Sequence, residues 1–233
     1  MMLAARNSDT MQQRIAAFDL AGVAVIADLS GALFVPHEKM LIVADLHFEK
    51  GSAYAARGAL LPPYDTAATL ARLASIIVQW QPRVVVALGD SFHDSRGPER
   101  MGADERAALR EMQAGRDWVW IAGNHDPALP ANIGGTRIDE INLGTLTLRH
   151  EPSADRSVYE IAGHLHPVAR LSGRRRCFVS DGHRLVMPAF GAYAGGLNLR
   201  DPAIAHLFAD RPIAHVMGRD GLYSICASRC IPD

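Results

Sequence analysis

Four times along this 233-residue chain an apolar run of strand-like composition stops at a short cluster of residue types that bind metals. Met40 to Ala44 runs into Asp45-Leu-His47, and Val84 to Leu88 into Gly89-Asp90. Trp118 to Ala122 runs into Gly123-Asn-His-Asp126, and Val158 to Ala162 into Gly163-His-Leu-His166. The runs have the length and the β-branched or aromatic content of buried strands. In open α/β sheets ligands bind beyond the carboxyl ends of the strands, so four such clusters would converge on one place. Their aspartate, asparagine and histidine side chains are hard and borderline ligands, and together they predict a two-metal hydrolytic site.

Each cluster alone is a weak signal. Asp45 could open a turn with His47 packed beside it, and Gly123 to Asp126 could be an Asx-type turn carrying a surface histidine. Glycine permits a sharp turn there, and the three side chains after it all suit a metal or a phosphate. His164 and His166, at i and i+2, lie on one side of extended chain, where both imidazoles can reach metals a few ångströms apart. The order of four clusters after four strands carries the inference.

The length suits one large domain, expected over residues 15–233 after a frayed N-terminus at 1–14. With 48% apolar and 21% charged residues the composition is that of a globular protein. A net charge of −1 offers no global positive field, so a polyanion must be held locally or through metals. Three cysteines, Cys177, Cys226 and Cys230, form neither an even disulfide framework nor a C-x-x-C pair, which points to a reducing compartment. No segment reaches the 18 or more apolar residues of a membrane span, and no signal peptide lines up at the start, so a soluble cytoplasmic protein is expected.

A hairpin is expected from Val23 to Val35 around Asp28 to Gly31. Asp65 is placed as the N-cap of a helix with apolar positions Leu70, Leu73, Ile76, Ile77 and Trp80, ending near Pro82. Ala103 to Ala114 reads as a second helix, stopped by Gly115. After about Thr136 the alternation gives way to short strands at Thr145 to Arg149, Cys177 to Ser180, Arg184 to Met187, Ala203 to Phe208, Ile213 to Val216 and Leu222 to Cys226. Alternating strands and helices followed by hairpins suit two mixed sheets packed face to face with helices outside. One local basic feature, Arg170 to Arg176, reads as a hairpin tip. Its residues Arg174, Arg175 and Arg176 are candidates for contacting a phosphate backbone.

Asp45-x-His47, Gly89-Asp90, Gly123-Asn-His-Asp126, His150 and Gly163-His-x-His166 resemble the calcineurin-like metallophosphoesterase superfamily over most of the chain. Ala44 to Gly51, Leu88 to Asp94, His150-Glu-Pro152, Gly163 to Pro167 and Met187 to Ala192 are similar to the bacterial ligase-associated DNA damage response endonucleases, the PdeM family. Arg149 departs from the pattern, standing where the superfamily commonly has glycine. The resemblance implies an α/β, four-layer αββα sandwich and a metal-dependent phosphodiesterase, a DNA endonuclease or end-processing nuclease in bacterial repair. It implies one metal held by Asp45, His47, Asp90 and His166, and a second by Asp90, Asn124, His150 and His164, with Asp90 shared. His125 becomes the group that stabilises or protonates the leaving oxygen, Asp126 a carboxylate orienting its ring, and His93 a further catalytic candidate in the pocket.

Mixed histidine, aspartate and asparagine ligation fits two divalent ions, manganese first, with iron or zinc as alternatives. DNA is the expected substrate, and the resemblance adds a DNA ligase and a helicase of the same repair system as partners, with no membrane. Two other readings stay open on the sequence. One is a phosphatase, pyrophosphatase or cyclic-nucleotide phosphodiesterase for small molecules; the other is a scaffold of the same fold without metals.

Overall fold

The long apolar runs become strands buried on both faces. The structure is a computed structural model that describes residues 14–126, 128, 130–209 and 211–233, so residues 1–13 of the expected frayed segment lie outside it. The chain opens with β1 (Ile15–Leu20), β2 (Val23–Asp28), β3 (Leu33–Val35) and β4 (Met40–Ala44). Next come helices α1 (Lys50–Ala55) and α2 (Asp65–Trp80), β5 (Val84–Leu88), helices α3 (Gly97–Arg100) and α4 (Ala103–Gln113), β6 (Asp117–Ile121) and β7 (Thr136–Ile138). These strands form one sheet in chain order, antiparallel from β1 to β4 and parallel from β4 to β7.

The second sheet is built from shorter pieces: β8 (Ile141–Leu143), β9 (Leu146–Arg149), β10 (Glu160–Ala162), β11 (Val168–Arg170), β12 (Arg174–Ser180) and β13 (Arg184–Val186). After helix α5 (Pro202–Ala205) it is completed by β14 (Ile213–Met217) and β15 (Leu222–Cys226). Its order is β15-β14-β12-β13-β10-β9-β8, with β11 paired to the start of β12. Strand β10 runs parallel to both β9 and β13 and the remaining pairs are antiparallel, so this sheet is mixed too.

Successive side chains of a strand face opposite ways, and here each face has its own partner. Leu41, Val43, Val85 and Ala87 pack against Leu70, Leu73, Ile76 and Ile77 of α2 and Leu109 and Met112 of α4. Ile42, Ala44, Val86 and Leu88 turn the other way and meet Leu148, Ile161, Phe178 and Leu185 of the second sheet. On the far side of that sheet, Val179 and Val216 pack on Ile204 and Phe208. Together these layers make the expected sandwich of two mixed sheets with flanking helices, the helix outside the second sheet, α5, being only four residues long. Among the described residues no helix is long and apolar enough to cross a membrane.

Three local expectations are corrected. Ala203 to Phe208 is not a strand, because Asp201 accepts a hydrogen bond from the Ala203 N–H at 2.9 Å and Pro202 takes the first helical position, which together start a helix. Asp65 is the first residue of α2 and not its cap; its carboxylate accepts from the Gly51 N–H of α1 instead, at 3.1 Å. Arg174, Arg175 and Arg176 belong to β12, and the turn of that hairpin is Leu171 to Gly173.

Candidate metal centre

Beyond the ends of β4 and β5 the two chains stay paired. The Asp45 N–H donates to the Gly89 carbonyl at 3.3 Å, His47 N–H to Asp90 at 2.9 Å and Phe48 N–H to Ser91 at 2.8 Å. In the second sheet the Gly163 N–H donates to the His150 carbonyl at 2.9 Å, joining the ends of β9 and β10. These links carry Asp45, His47 and Asp90 from one sheet to the same edge of the sandwich as His150, His164 and His166 from the other. Five of the candidates have left-handed backbone: Asp45 (φ 54°), His47 (45°), Asp90 (44°), His164 (68°) and His166 (46°). Such conformations are uncommon outside glycine and are concentrated at functional sites.

Two glycines allow the close approach. A Cβ on Gly89 would lie 2.2 Å from Nδ1 of His150, and one on Gly123 would lie 2.1 Å from the Asp90 backbone nitrogen. Any side chain at either place would drive apart residues the site needs together.

The ligand atoms fall into two groups, Asp45 with His47 and His166, and Asp90 with His150 and His164, each with its atoms within 4.8 Å of one another. In the first group the Nε2 atoms of His47 and His166 are 3.2 Å apart, and Asp45 Oδ1 is 3.3 Å from His166 Nε2. The His164 N–H donates to the Asp45 carboxylate at 3.0 Å and fixes it in place. In the second group His150 Nδ1 donates to the Leu88 carbonyl at 3.2 Å, which leaves Nε2 as a lone pair. That lone pair faces Asn124 Oδ1 at 2.9 Å, His164 Nδ1 at 3.2 Å and Asp90 Oδ1 at 3.4 Å. Electron-rich atoms crowded together in this way suit a cation between them, so the residues fit two metal ions. The groups abut, since Asp45 Oδ1 is also 3.8 Å from His150 Nδ1.

Burial favours the neutral imidazole that metal binding requires. The pKa of His47 is pushed down to about 3, chiefly by burial, with Asp45 opposing and the nearby His166 and His125 adding to the depression.

His125 stands at the mouth of the cleft, its side chain 40% exposed. Its backbone N–H donates to Asp90 Oδ1 at 2.9 Å, and its Nδ1 donates to the His93 carbonyl at 2.8 Å. That leaves Nε2 toward the cleft, 3.8 Å from Asp90 Oδ2. The carboxylate of Asp126 does not orient this ring. It is buried and accepts from the Phe92 N–H at 3.0 Å, so it holds the loop after Asp90, and burial raises its pKa to about 7. The His93 ring stacks on that of His125 with centroids 5.4 Å apart, and burial followed by the nearby Lys50 charge lowers its pKa.

The cleft over the metal groups has a volume of about 340 Å³ and brings in residues that the motifs did not single out: Lys50, Leu165, Leu197 and the Gly195-Gly196 pair. Lys50 donates to the Tyr193 carbonyl at 2.9 Å. A second, more open hollow next to it shares Lys50 and Gly195 and is lined by Tyr54, Leu61, Pro62 and Tyr193. Tyr54 tilts over His93 with ring centroids 5.6 Å apart, continuing the row of rings outward from His125.

The three β12 arginines do not act as a unit. Arg174 pairs with Asp233 and donates to the Gly196 carbonyl at 2.8 Å, while half-buried Arg176 donates to the Ala189 carbonyl at 2.8 Å. Strand alternation turns Arg175 the other way, into solvent.

A family model described as calcineurin-like phosphoesterase matches residues 38–228, a span that holds every ligand candidate. The chain belongs to the calcineurin-like phosphoesterase family. As a member it is a metal-dependent phosphoesterase, a hydrolase. The structure is similar to that of Pseudomonas putida nuclease MPE, with a TM-score of 0.72 and 28% identity over 91% of this chain and 100% of that one. This likeness to a bacterial nuclease is consistent with the PdeM resemblance. YfcE, a phosphoesterase from E. coli, is a distant match at 14% identity, covering 82% of this chain and 94% of that one with a TM-score of 0.40. No curated protein matches the chain. The departure from the phosphoesterase pattern at Arg149 leaves His150 in place, because the guanidinium points away to Glu140 at 2.7 Å and Glu160 at 3.7 Å.

Proposed function

We propose that this calcineurin-like phosphoesterase hydrolyses phosphodiester bonds in DNA, as an endonuclease or end-processing nuclease of bacterial repair. The observation that carries the reading is the pair of abutting histidine and aspartate groups at the floor of an open cleft. Asp45, His47 and His166 would hold one cation and Asn124, His150 and His164 the other, with the Asp90 carboxylate shared between them. Manganese suits this donor set, as do iron and zinc. When bound, two such cations supply Lewis-acid neutralisation of the phosphoryl oxygens and make a water acidic enough to serve as nucleophile near neutral pH.

The protein's own groups do the rest. With Nδ1–H held by the His93 carbonyl, His125 as the imidazolium also carries a proton on Nε2, which faces the cleft. It gives that proton to the departing oxygen and is left as the neutral Nδ1–H ring. Asp126 is a positioning residue, holding the Phe92 amide so that Asp90 and His93 keep their places. His93 backs the His125 ring and contributes to the same catalytic face. DNA as substrate is supported by the likeness to a nuclease and by the Tyr54 and Tyr193 hollow beside the metals, where an unpaired base next to the scissile phosphate can stack. Arg175, facing solvent on β12, is available to a backbone phosphate. A DNA ligase and a helicase are the partners that the family resemblance supplies.

Metal-loaded protein assayed on bis(p-nitrophenyl) phosphate, p-nitrophenyl phosphate and single-stranded or hairpin DNA tests the proposal. Diester cleavage ahead of monoester, together with DNA cleavage, is expected. A preference for the monoester with intact DNA would make the protein a small-molecule phosphatase, and inactivity on all three would make it a scaffold.

A further inference from the structure

A second polar cleft, of about 270 Å³, lies where α2 meets the β2–β3 turn, lined by Arg14, Asp28, Ser30, Arg72, Ser75, Gln79 and Arg176 among others. Its electrostatics are unbalanced. Three arginines border it against one carboxylate among the described lining residues, and Asp28 is already saturated. It accepts from the Ser30 N–H at 2.8 Å, Gln79 Nε2 at 2.9 Å and Trp80 Nε1 at 3.3 Å. Arg72 is the most exposed to this imbalance. Its guanidinium lies 4.3 Å over the Phe190 ring, yet Nε and Nη2 are buried with no hydrogen-bond partner among the described residues.

Buried guanidinium donors without acceptors are costly, and two like charges sharing a cleft add to the cost. The Arg72 pKa is lowered to about 10 by burial and then by the charge of Arg176. Arg176 spends one nitrogen on the Ala189 carbonyl and has others to offer. What would balance this cleft is a compact anion that accepts from both guanidinium groups, with the Ser30 and Ser75 hydroxyls at its edge.

We infer that Arg72 and Arg176, with Arg14 at the rim, form an anion site for a phosphate group, separate from the metal centre. Guanidinium planes match phosphate oxygens bidentately, and a tetrahedral oxyanion fits the volume. The site is connected to the catalytic edge through the segment that leaves β13. Arg176 holds Ala189 and Arg72 covers Phe190, while the Phe190 N–H donates to the Ala44 carbonyl at 2.7 Å, one residue before Asp45. The phosphate can belong to a nucleic-acid strand passing round the molecule or be free in solution as inorganic phosphate. The inference does not depend on the phosphodiesterase reading.

The test compares wild type with Arg72→Met, which keeps an apolar stem over Phe190, on the full metal-loaded chain. Inorganic phosphate, titrated at constant ionic strength, should raise the thermal midpoint of wild type, and Arg72→Met should lose more than half of that rise. Inhibition of bis(p-nitrophenyl) phosphate hydrolysis by phosphate reports the metal cleft alone, and its inhibition constant should hold within about twofold of wild type. If Arg72→Met does not fold, Arg72→Lys retains stem and charge but lacks the fork, and it should bind phosphate about tenfold more weakly. A DNA source would add a roughly tenfold rise in KM for DNA in Arg72→Met; a free-phosphate source would leave that KM unchanged. A phosphate-induced rise in midpoint equal to that of wild type in either variant overturns the assignment.

Discussion

The two sheets contribute differently to one site. The first brings both carboxylates, the amide and one imidazole (Asp45, Asp90, Asn124 and His47) from the ends of strands buried on both faces. The second brings three imidazoles, His150, His164 and His166, from the ends of strands only three or four residues long. Negative charge is thus placed by the first sheet alone while both sheets supply neutral donors, and neither half holds a complete ligand set. Binding of two metals is then also a report on whether the sheets are packed together, since the chain that delivers each ligand is fixed by the shared core.

The sharpest break is on the carboxylate side. Asp90→Asn removes charge from the residue assigned to both cations, and turnover should fall by on the order of 10³-fold or more, with loss of metal. Full occupancy of both positions in that variant, measured by elemental analysis, would mean that Asp90 is not shared. His125→Ala, which removes no ligand, should keep its metals and lose roughly 10²–10⁴-fold in DNA cleavage. The deficit should shrink on bis(p-nitrophenyl) phosphate, whose leaving group needs no proton. Equal deficits on both substrates would reassign His125 to phosphate positioning.

The interface between the sheets offers a subtler probe. Ile161 is fully buried in the shared core, three residues before His164, so Ile161→Ala should cost about 2–5 kcal/mol in urea unfolding and weaken metal binding with it. Unchanged metal affinity at reduced stability would separate packing from ligand placement.

The smallest effect is expected at the opposite seam. His215 of the second sheet stacks on Phe18 of the first with centroids 4.5 Å apart, and burial lowers its pKa from 6.5. The unfolded chain therefore binds the proton more tightly. The contribution of neutral His215 to stability is present above about pH 6.5 and is lost as pH falls through its lower folded value. The thermal midpoint of His215→Gln should drop less steeply than that of wild type below that pH. Parallel curves for the two proteins would exclude His215 as a contributor to acid sensitivity.

The same contrast governs what could be read in advance. Strands β4, β5 and β6 were legible because burial on both faces demands long runs such as Val84 to Leu88, and their polar terminators stood out against them. Strands β7, β8 and β11 are three residues each and carry no periodicity to detect. The ligand types at Asp45, His47, Asp90, His164 and His166 were visible. Their left-handed backbone was not, since an aspartate or histidine reads the same at either sign of φ. Arg174 to Arg176 read as one basic patch in the sequence because one-dimensional proximity hides strand alternation. Arg72 carries no signal in the sequence, being a single charge on a helix until folding sets it beside Arg176.

Elemental analysis of purified, metal-replete protein tests the central claim most directly. Two divalent ions per chain are predicted, falling to one or fewer when His164 and His150 are replaced together while Asp45, His47 and His166 are kept. One ion or none in the wild-type protein, or two retained in that double variant, would contradict a binuclear centre assembled from both sheets.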